Sequence, residues 1–134
     1  AAATGADVDV IIDDETVQRA THLGARSVHV FRIAQEAMTN ATKHGGADHV
    51  LVTLRADDHG AVLSVVDNGR GFGVADSGER SVVADVDGGG VGLVGMRQRA
   101  RMLDGSLTVG PRDDGKRGVA VILKLDPQTI GQPS

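Results

Sequence analysis

The spacing of hydrophobic positions changes several times along the chain, and each change marks an element. Val8-Asp9-Val10-Ile11-Ile12 alternates briefly and runs into Asp13-Asp14-Glu15, the pattern of a short edge strand with a charged exit. From Ala25 to His44 there is no Gly or Pro, and Val30, Ile33, Ala34, Ala37, Met38 and Ala41 recur at three- and four-residue steps. That spacing predicts a long amphipathic helix, ended by Gly45-Gly46. Val50 to Leu54 and Ala61 to Val66 read as strands of a hairpin around the polar turn Asp57-Asp58-His59-Gly60. Between Val74 and Gly90 neither period holds, and the acidic, glycine-punctuated composition predicts a mobile loop. A second helix follows with Leu93, Met96, Ala100 and Leu103 on one face, stopping at Asp104-Gly105. Ser106 to Val109 and Val119 to Leu125 read as two more strands, joined through the turn Gly110 to Gly115.

The sum is an α+β two-layer sandwich. A mixed or antiparallel sheet of four or five strands carries two long helices on one face, without parallel βαβ repetition. At 134 residues the chain is expected to be a single domain, with its core at about 8–126 and frayed tails at 1–7 and 127–134.

Composition narrows the chemistry. Only Phe31 and Phe72 are aromatic, so the core must be aliphatic and there are no stacking platforms for bases. A net charge of -4 supplies no basic field, and nucleic acid is not an expected partner. The absence of cysteine excludes disulfides, thiolate metal sites and a cysteine nucleophile. No apolar run approaches a bilayer span, so direct membrane contact by this domain is not expected; the lack of cysteine fits a reducing, cytoplasmic setting, whether or not the parent protein is membrane-anchored.

Three stretches carry candidate chemistry. Asp67-Asn68-Gly69-Arg70-Gly71-Phe72-Gly73 ends an apolar strand with an acid and three alternating glycines; by itself this is also ordinary turn chemistry. Glu36, Asn40 and His44 fall at four-residue steps on one stripe of the first helix, with Lys43 alongside. The stripe reads either as a solvated face or as a site for phosphate and metal, since an Asn carbonyl can give Mg²⁺ one oxygen without added charge. Gly88 to Met96, GGGVGLVGM, runs from loop into helix. Glycines there allow close backbone approach, and amides at a helix start point toward an anion. No GxxxxGK[ST] sequence occurs, and the glycines do not open a βαβ unit.

In order and spacing these stretches resemble a known set. EAMTNATKH resembles the N box of the GHKL (Bergerat-fold) ATPase superfamily, DNGRGFG its first glycine box and GGGVGLVGMRQRA its second, with a variable lid at 74–89 between them. Within the superfamily, EAMTNATKHGGADHV and GLVGMRQRARMLDGSLTV are most similar to the catalytic ATP-binding domain of NarL-like sensor histidine kinases. The resemblance implies that Asp67 accepts the exocyclic amine of adenine, with Gly69 and Gly71 letting the chain curve around the base. It implies Asn40 as the Mg²⁺ ligand, and Lys43 and His44 at the nucleotide. Gly90, Gly92, Leu93 and Gly95 would present amides to the phosphates. Glu36 stands where hydrolysing relatives keep a general base.

The implied cofactors are ATP and Mg²⁺. The implied partners are the dimerisation domain of the same parent kinase, whose histidine takes the γ-phosphoryl group, and a LuxR-type response regulator. Two alternatives stay open: a stand-alone serine kinase of the anti-sigma-factor type and an ATP-sensing module without transfer. The family's Gly-Thr pair in the last strand is here Gly118-Val119. None of His22, His29, His44, His49 or His59 is followed by an acid, as the family's phosphoacceptor is.

Overall fold

The computed structural model describes residues 7–69, 90–112 and 114–130. The elements run β1 (Asp7–Ile12), α1 (Asp14–Ala20), a 3₁₀ segment (Thr21–Arg26), α2 (Ser27–Thr39) and a widened π turn (Asn40–His44). They continue with β2 (His49–Asp57), β3 (Gly60–Asp67), α3 (Gly90–Met102), β4 (Ser106–Pro111), β5 (Val119–Leu125) and α4 (Pro127–Ile130).

The five strands form one sheet in the order β1-β2-β3-β5-β4, with β1 at an edge as its charged exit suggested. Its register aligns apolar side chains in rows that cross every strand. Val10, Val52, Val65, Val121 and Val109 make one row; Ile12, Leu54, Leu63, Leu123 and Leu107 make the next. Because strand side chains alternate between faces, both rows lie on one side of the sheet, and that is the side the helices cover. On the other side Leu51, Val62 and Lys124 are exposed, so the molecule has two layers and not three.

Helix α2 buries Val30, Ile33 and Ala37 at the three- and four-residue steps read from the sequence, and Ala41 continues the stripe into the π turn. Helix α3 does the same with Leu93, Met96 and Ala100, while Leu103 seals the core just past its end. Ile33, Leu93, Met96, Leu103 and Leu123 are all but fully enclosed, and Phe31 is largely exposed. The core is therefore aliphatic among the described residues, as composition required.

Three features differ from expectation. The acidic exit after β1 forms a helix: Asp13 caps α1 by accepting from the Thr16 amide at 2.9 Å, and Asp14 and Glu15 sit in its first turn, where the helix dipole favours acids. The helices between β1 and β2 then return the chain in the same direction, so β1 pairs parallel with β2 while the other pairings are antiparallel. The tail expected to fray from residue 127 opens instead with α4, whose Thr129 is buried and accepts from the Arg26 guanidinium at 3.3 Å. Among the described residues no helix is long and apolar enough to cross a membrane.

Thr16 joins α1 to the sheet. It is 1% exposed, and its hydroxyl accepts the backbone N–H of Ala56, beyond the last residues that β1 pairs. Thr16 also holds the Asp13 carboxyl below its ordinary pKa of 3.8, first through its side chain and then through its amide. A lowered carboxylate pKa contributes stability above the unfolded value, which fades as the pH falls through the lower folded one. Thr16→Val keeps the shape but orphans the Ala56 amide. It is expected to cost about 1–3 kcal/mol in a denaturant titration, whereas an unchanged midpoint would show that Ala56 finds another acceptor.

Candidate nucleotide site

Asp67 is the last residue of β3 and keeps the parity of Ala61, Leu63 and Val65, so its carboxylate enters the helix-covered side of the sheet. It is 6% exposed. A carboxylate in such surroundings is costly unless it is hydrogen-bonded. Two backbone amides meet the demand, and both go to one oxygen: Gly69 N–H donates to Oδ1 at 2.7 Å and Val119 N–H at 3.2 Å. No donor among the described residues reaches Oδ2.

The wall opposite comes from the end of α2. Its last turn opens to a five-residue hydrogen bond, Gly45 N–H to Asn40 carbonyl at 2.8 Å, and the chain leaves through Gly46 at φ +64°. Such widened turns arise inside helices where local geometry is bent to a task. Asn40, Ala41, His44 and Gly45 from this turn and Ala37 from α2 face Asp67, Val119 and Val121 across a cleft of about 50 Å³. The side-chain nitrogen of Asn40 is buried there and has no hydrogen-bond partner among the described residues. An unpaired buried amide carries a free-energy cost, and an Asn side chain exchanges its oxygen and nitrogen by turning over. Among the described residues the cleft thus offers an amide nitrogen and a carboxylate oxygen without hydrogen-bond partners.

The stretch 67–69 is packed backbone to backbone against its surroundings. The Asn68 side-chain oxygen accepts from the amides of Asp48 and His49, at 2.8 and 3.0 Å, tying the end of β3 to the start of β2. A Cβ on Gly69 would lie 2.7 Å from the Gly45 carbonyl oxygen, so glycine is required by the approach of the two loops.

Of the residues singled out from sequence, Asn40, His44 and Asp67 share the cleft, and Gly69 lies at its edge. Glu36 is half-buried on α2 one turn earlier and Lys43 is exposed; neither lines the cleft. Gly90, Gly92 and Leu93 belong to the first turn of α3, where amides lack helical acceptors. The Leu93 side chain is core, 2% exposed. Gly95 is in the second turn, and a Cβ there would meet nothing within 4 Å among the described residues beyond its own helix, so none of them requires glycine. Gly71 and the expected lid at 74–89 lie outside the described residues. A larger cavity of about 250 Å³ sits at the other end of the sheet, between Val10, Leu54 and Phe31. Its lining is almost wholly aliphatic and holds no ionisable group, so the chemistry belongs to the smaller cleft.

Among the described residues no three His, Cys, Asp or Glu side chains gather as a metal cage.

Comparison with solved structures identifies the fold of this sheet, with its helices on one face and a polar cleft where β3 meets the end of α2. The ATP-binding domain of PrrB from Mycobacterium tuberculosis superposes with a TM-score of 0.65, over 97% of this chain and 82% of that one, at 22% identity. Residues 25–129 match the histidine kinase-, DNA gyrase B- and HSP90-like ATPases, and the chain belongs to that family. The signal transduction histidine-protein kinase/phosphatase DegS of Bacillus subtilis is 31% identical over 98 residues, 73% of this chain and 23% of DegS. The nitrate/nitrite sensor protein NarX of Escherichia coli is 35% identical over 103 residues, 77% of this chain and 15% of NarX. The chain therefore spans a quarter or less of the length of these curated relatives.

The sequence places Gly118 at the glycine of the family's Gly-Thr pair but does not show what it approaches. At φ +135° it holds a conformation that L side chains rarely adopt, and a Cβ there would lie 1.8 Å from the Asp67 carbonyl oxygen. The signal was available as a glycine just before a strand, but nothing local revealed what it approaches. Gly118→Ala is expected to cost at least about 3 kcal/mol, since strain and clash combine. Gly115→Ala is the control: φ is +76° but nothing lies within 4 Å. It should cost only about 1–2 kcal/mol. Equal costs in thermal melts would show that the contact with Asp67 is unimportant.

Proposed function

We propose that the domain binds ATP with Mg²⁺ in the cleft between Asp67 and Asn40 and donates the γ-phosphoryl group to a histidine on the dimerisation domain of the same parent kinase, for relay to a LuxR-type response regulator. We infer a cytoplasmic setting for this reaction. The observation that carries the reading is the Asp67 carboxylate, buried with Oδ1 saturated by two amides and Oδ2 left to the cleft. An acceptor so fixed suits the exocyclic amine of adenine. A purine with oxygen at that position would meet it acceptor to acceptor, leaving a buried charge unpaired, the kind of mismatch that supplies large discrimination.

Asn40 fits the metal on the observation that its side-chain nitrogen is buried and has no partner among the described residues. Turned over, it would give Mg²⁺ one oxygen; the cation would supply charge neutralisation at the phosphates. Lys43, His44 and the amides of Gly90, Gly92, Leu93 and Gly95 are assigned to the nucleotide, and Gly71 to the curve around the base. Glu36, one turn before Asn40, is assigned to orienting the reacting groups. Transfer breaks the bond from the γ-phosphorus to the bridging oxygen and forms a phosphorus–nitrogen bond on the acceptor histidine, with ADP leaving. Such transfers rest on positioning and charge neutralisation, which matches the sparse protein chemistry of the cleft.

Calorimetry with ATP and GTP tests the base reading. The wild-type chain is expected to prefer ATP, and Asp67→Asn to lower ATP affinity by about tenfold or more, the cost of a charged hydrogen bond. Equal affinity of the wild type for both nucleotides would overturn the assignment.

Labelling tests the transfer. The isolated chain should not label itself from γ-labelled ATP, and adding the cognate dimerisation domain should produce a labelled histidine there. Asn40→Asp should abolish that label. Self-labelling of the 134-residue chain on one of its own histidines would contradict the division of labour.

A further inference from the structure

The turn between β4 and β5 reaches back to the segment that carries Asp67. The Arg112 guanidinium donates from Nη1 to the Asp67 carbonyl at 3.2 Å. Arg117, on the far limb of the same turn, donates from Nε to the Gly69 carbonyl at 3.2 Å. Two arginines therefore hold the carbonyls on either side of Asn68, whose own side chain is committed to β2.

Arg112 is itself oriented. Its Nε and Nη2 donate to the two carboxylate oxygens of Asp114, at 3.1 and 2.6 Å, and Asp114 also accepts the Lys116 amide at 3.0 Å. A guanidinium locked in a bidentate pair is a preset donor with little rotational freedom left to lose. Gly118 lets the turn press against Asp67, and the next amide, Val119 N–H, reaches Asp67 Oδ1. The turn thus contacts both the backbone and the carboxylate of one residue.

The direction of the Asp67 carboxylate depends on where its backbone lies and where the Gly69 amide points, because that amide is the shorter of its two hydrogen bonds. The Gly69 N–H lies on the peptide between residues 68 and 69, and clamping the carbonyls of residues 67 and 69 restrains that peptide from both sides. A site that discriminates one purine from another by a single hydrogen bond must hold its acceptor to within about half an ångström.

We propose that Arg112 and Arg117 are positioning residues for base selectivity: they hold the 67–69 backbone so that Asp67 Oδ2 keeps the one direction that favours a 6-amino purine. The inference rests on the reading of Asp67 as the base acceptor. It concerns neither the phosphates nor the metal, so its effect should appear only in ligands that carry the amine.

Arg112→Met and Arg117→Met keep the apolar stems and remove the donors. Each is expected to weaken ATP binding roughly fivefold, the worth of one net hydrogen bond, and to leave GTP and ITP affinity unchanged. The ratio of ATP to ITP affinity should therefore fall. A variant that only softened the fold would weaken all three nucleotides together. Arg117→Lys, which keeps a donor on a long stem, should recover part of the ratio. In an Asp67→Asn background, removing Arg117 should cost nothing further, because the group it positions is gone. Should Arg112→Met fail to fold, exposed Arg117 carries the test alone. If Asp67→Asn abolishes selectivity but the arginine variants weaken ATP and ITP alike or change neither, the positioning role is wrong and the base reading survives. If Asp67→Asn leaves selectivity intact, the base reading fails first, and this inference with it.

Discussion

One buried carboxylate organises this domain. Asp67 stands in the helix-covered face of a sheet whose crossing rows are Val, Leu and Ile, and ionised groups are expensive there unless the protein satisfies them. The neighbouring elements are arranged around that requirement. Gly69 and Val119 turn their amides to Oδ1, and Gly118 has no side chain because the Asp67 carbonyl occupies the space. Asn68 ties the end of β3 to β2, and Arg112 and Arg117 hold the outer carbonyls. Backbone groups from β2, β3, β5 and the end of α2 converge on three residues.

The aliphatic rows that cross the sheet provide the rigid base for this arrangement. Val65 and Leu63 precede Asp67 on β3 and are paired on both sides by residues of like size. A slip of one residue would move those side chains to the solvent face and Asp67 with them. The register that buries the core is therefore the register that sets the carboxylate, and the core and the cleft share one constraint. Across the cleft the constraint is the widened turn at Asn40, whose buried side-chain nitrogen has no hydrogen-bond partner among the described residues.

Much of this was legible in the sequence. The stripes on both long helices, the hairpin of β2 and β3 and the limits of β5 follow from spacing alone, because one-sided burial forces a period. The order of the three boxes pointed to the family, to which the chain belongs. Helix α1 was hidden because Asp13-Asp14-Glu15 reads equally as a strand exit and as a capped helix start. The parallel pairing of β1 was hidden because direction depends on where the chain returns. The contributions of Arg112, Arg117 and Val119 are contacts across 45 to 52 positions, which no local pattern encodes. One sign was present: Asp67 continues the inward parity of Ala61, Leu63 and Val65, and an acid at a core position asks for partners.

The central claim is that Asp67, held through the Gly69 and Val119 amides, meets the base directly. Amide resonances of the ¹⁵N-labelled chain, titrated with ATP and separately with ITP, test it most closely. ATP should shift the Gly69 and Val119 amides, because drawing Oδ2 onto the exocyclic amine redistributes charge on the carboxylate those amides serve. ITP, with oxygen in place of the amine, should leave both near their free positions even where its phosphates bind. Identical shifts of the two amides with ATP and ITP would contradict the account.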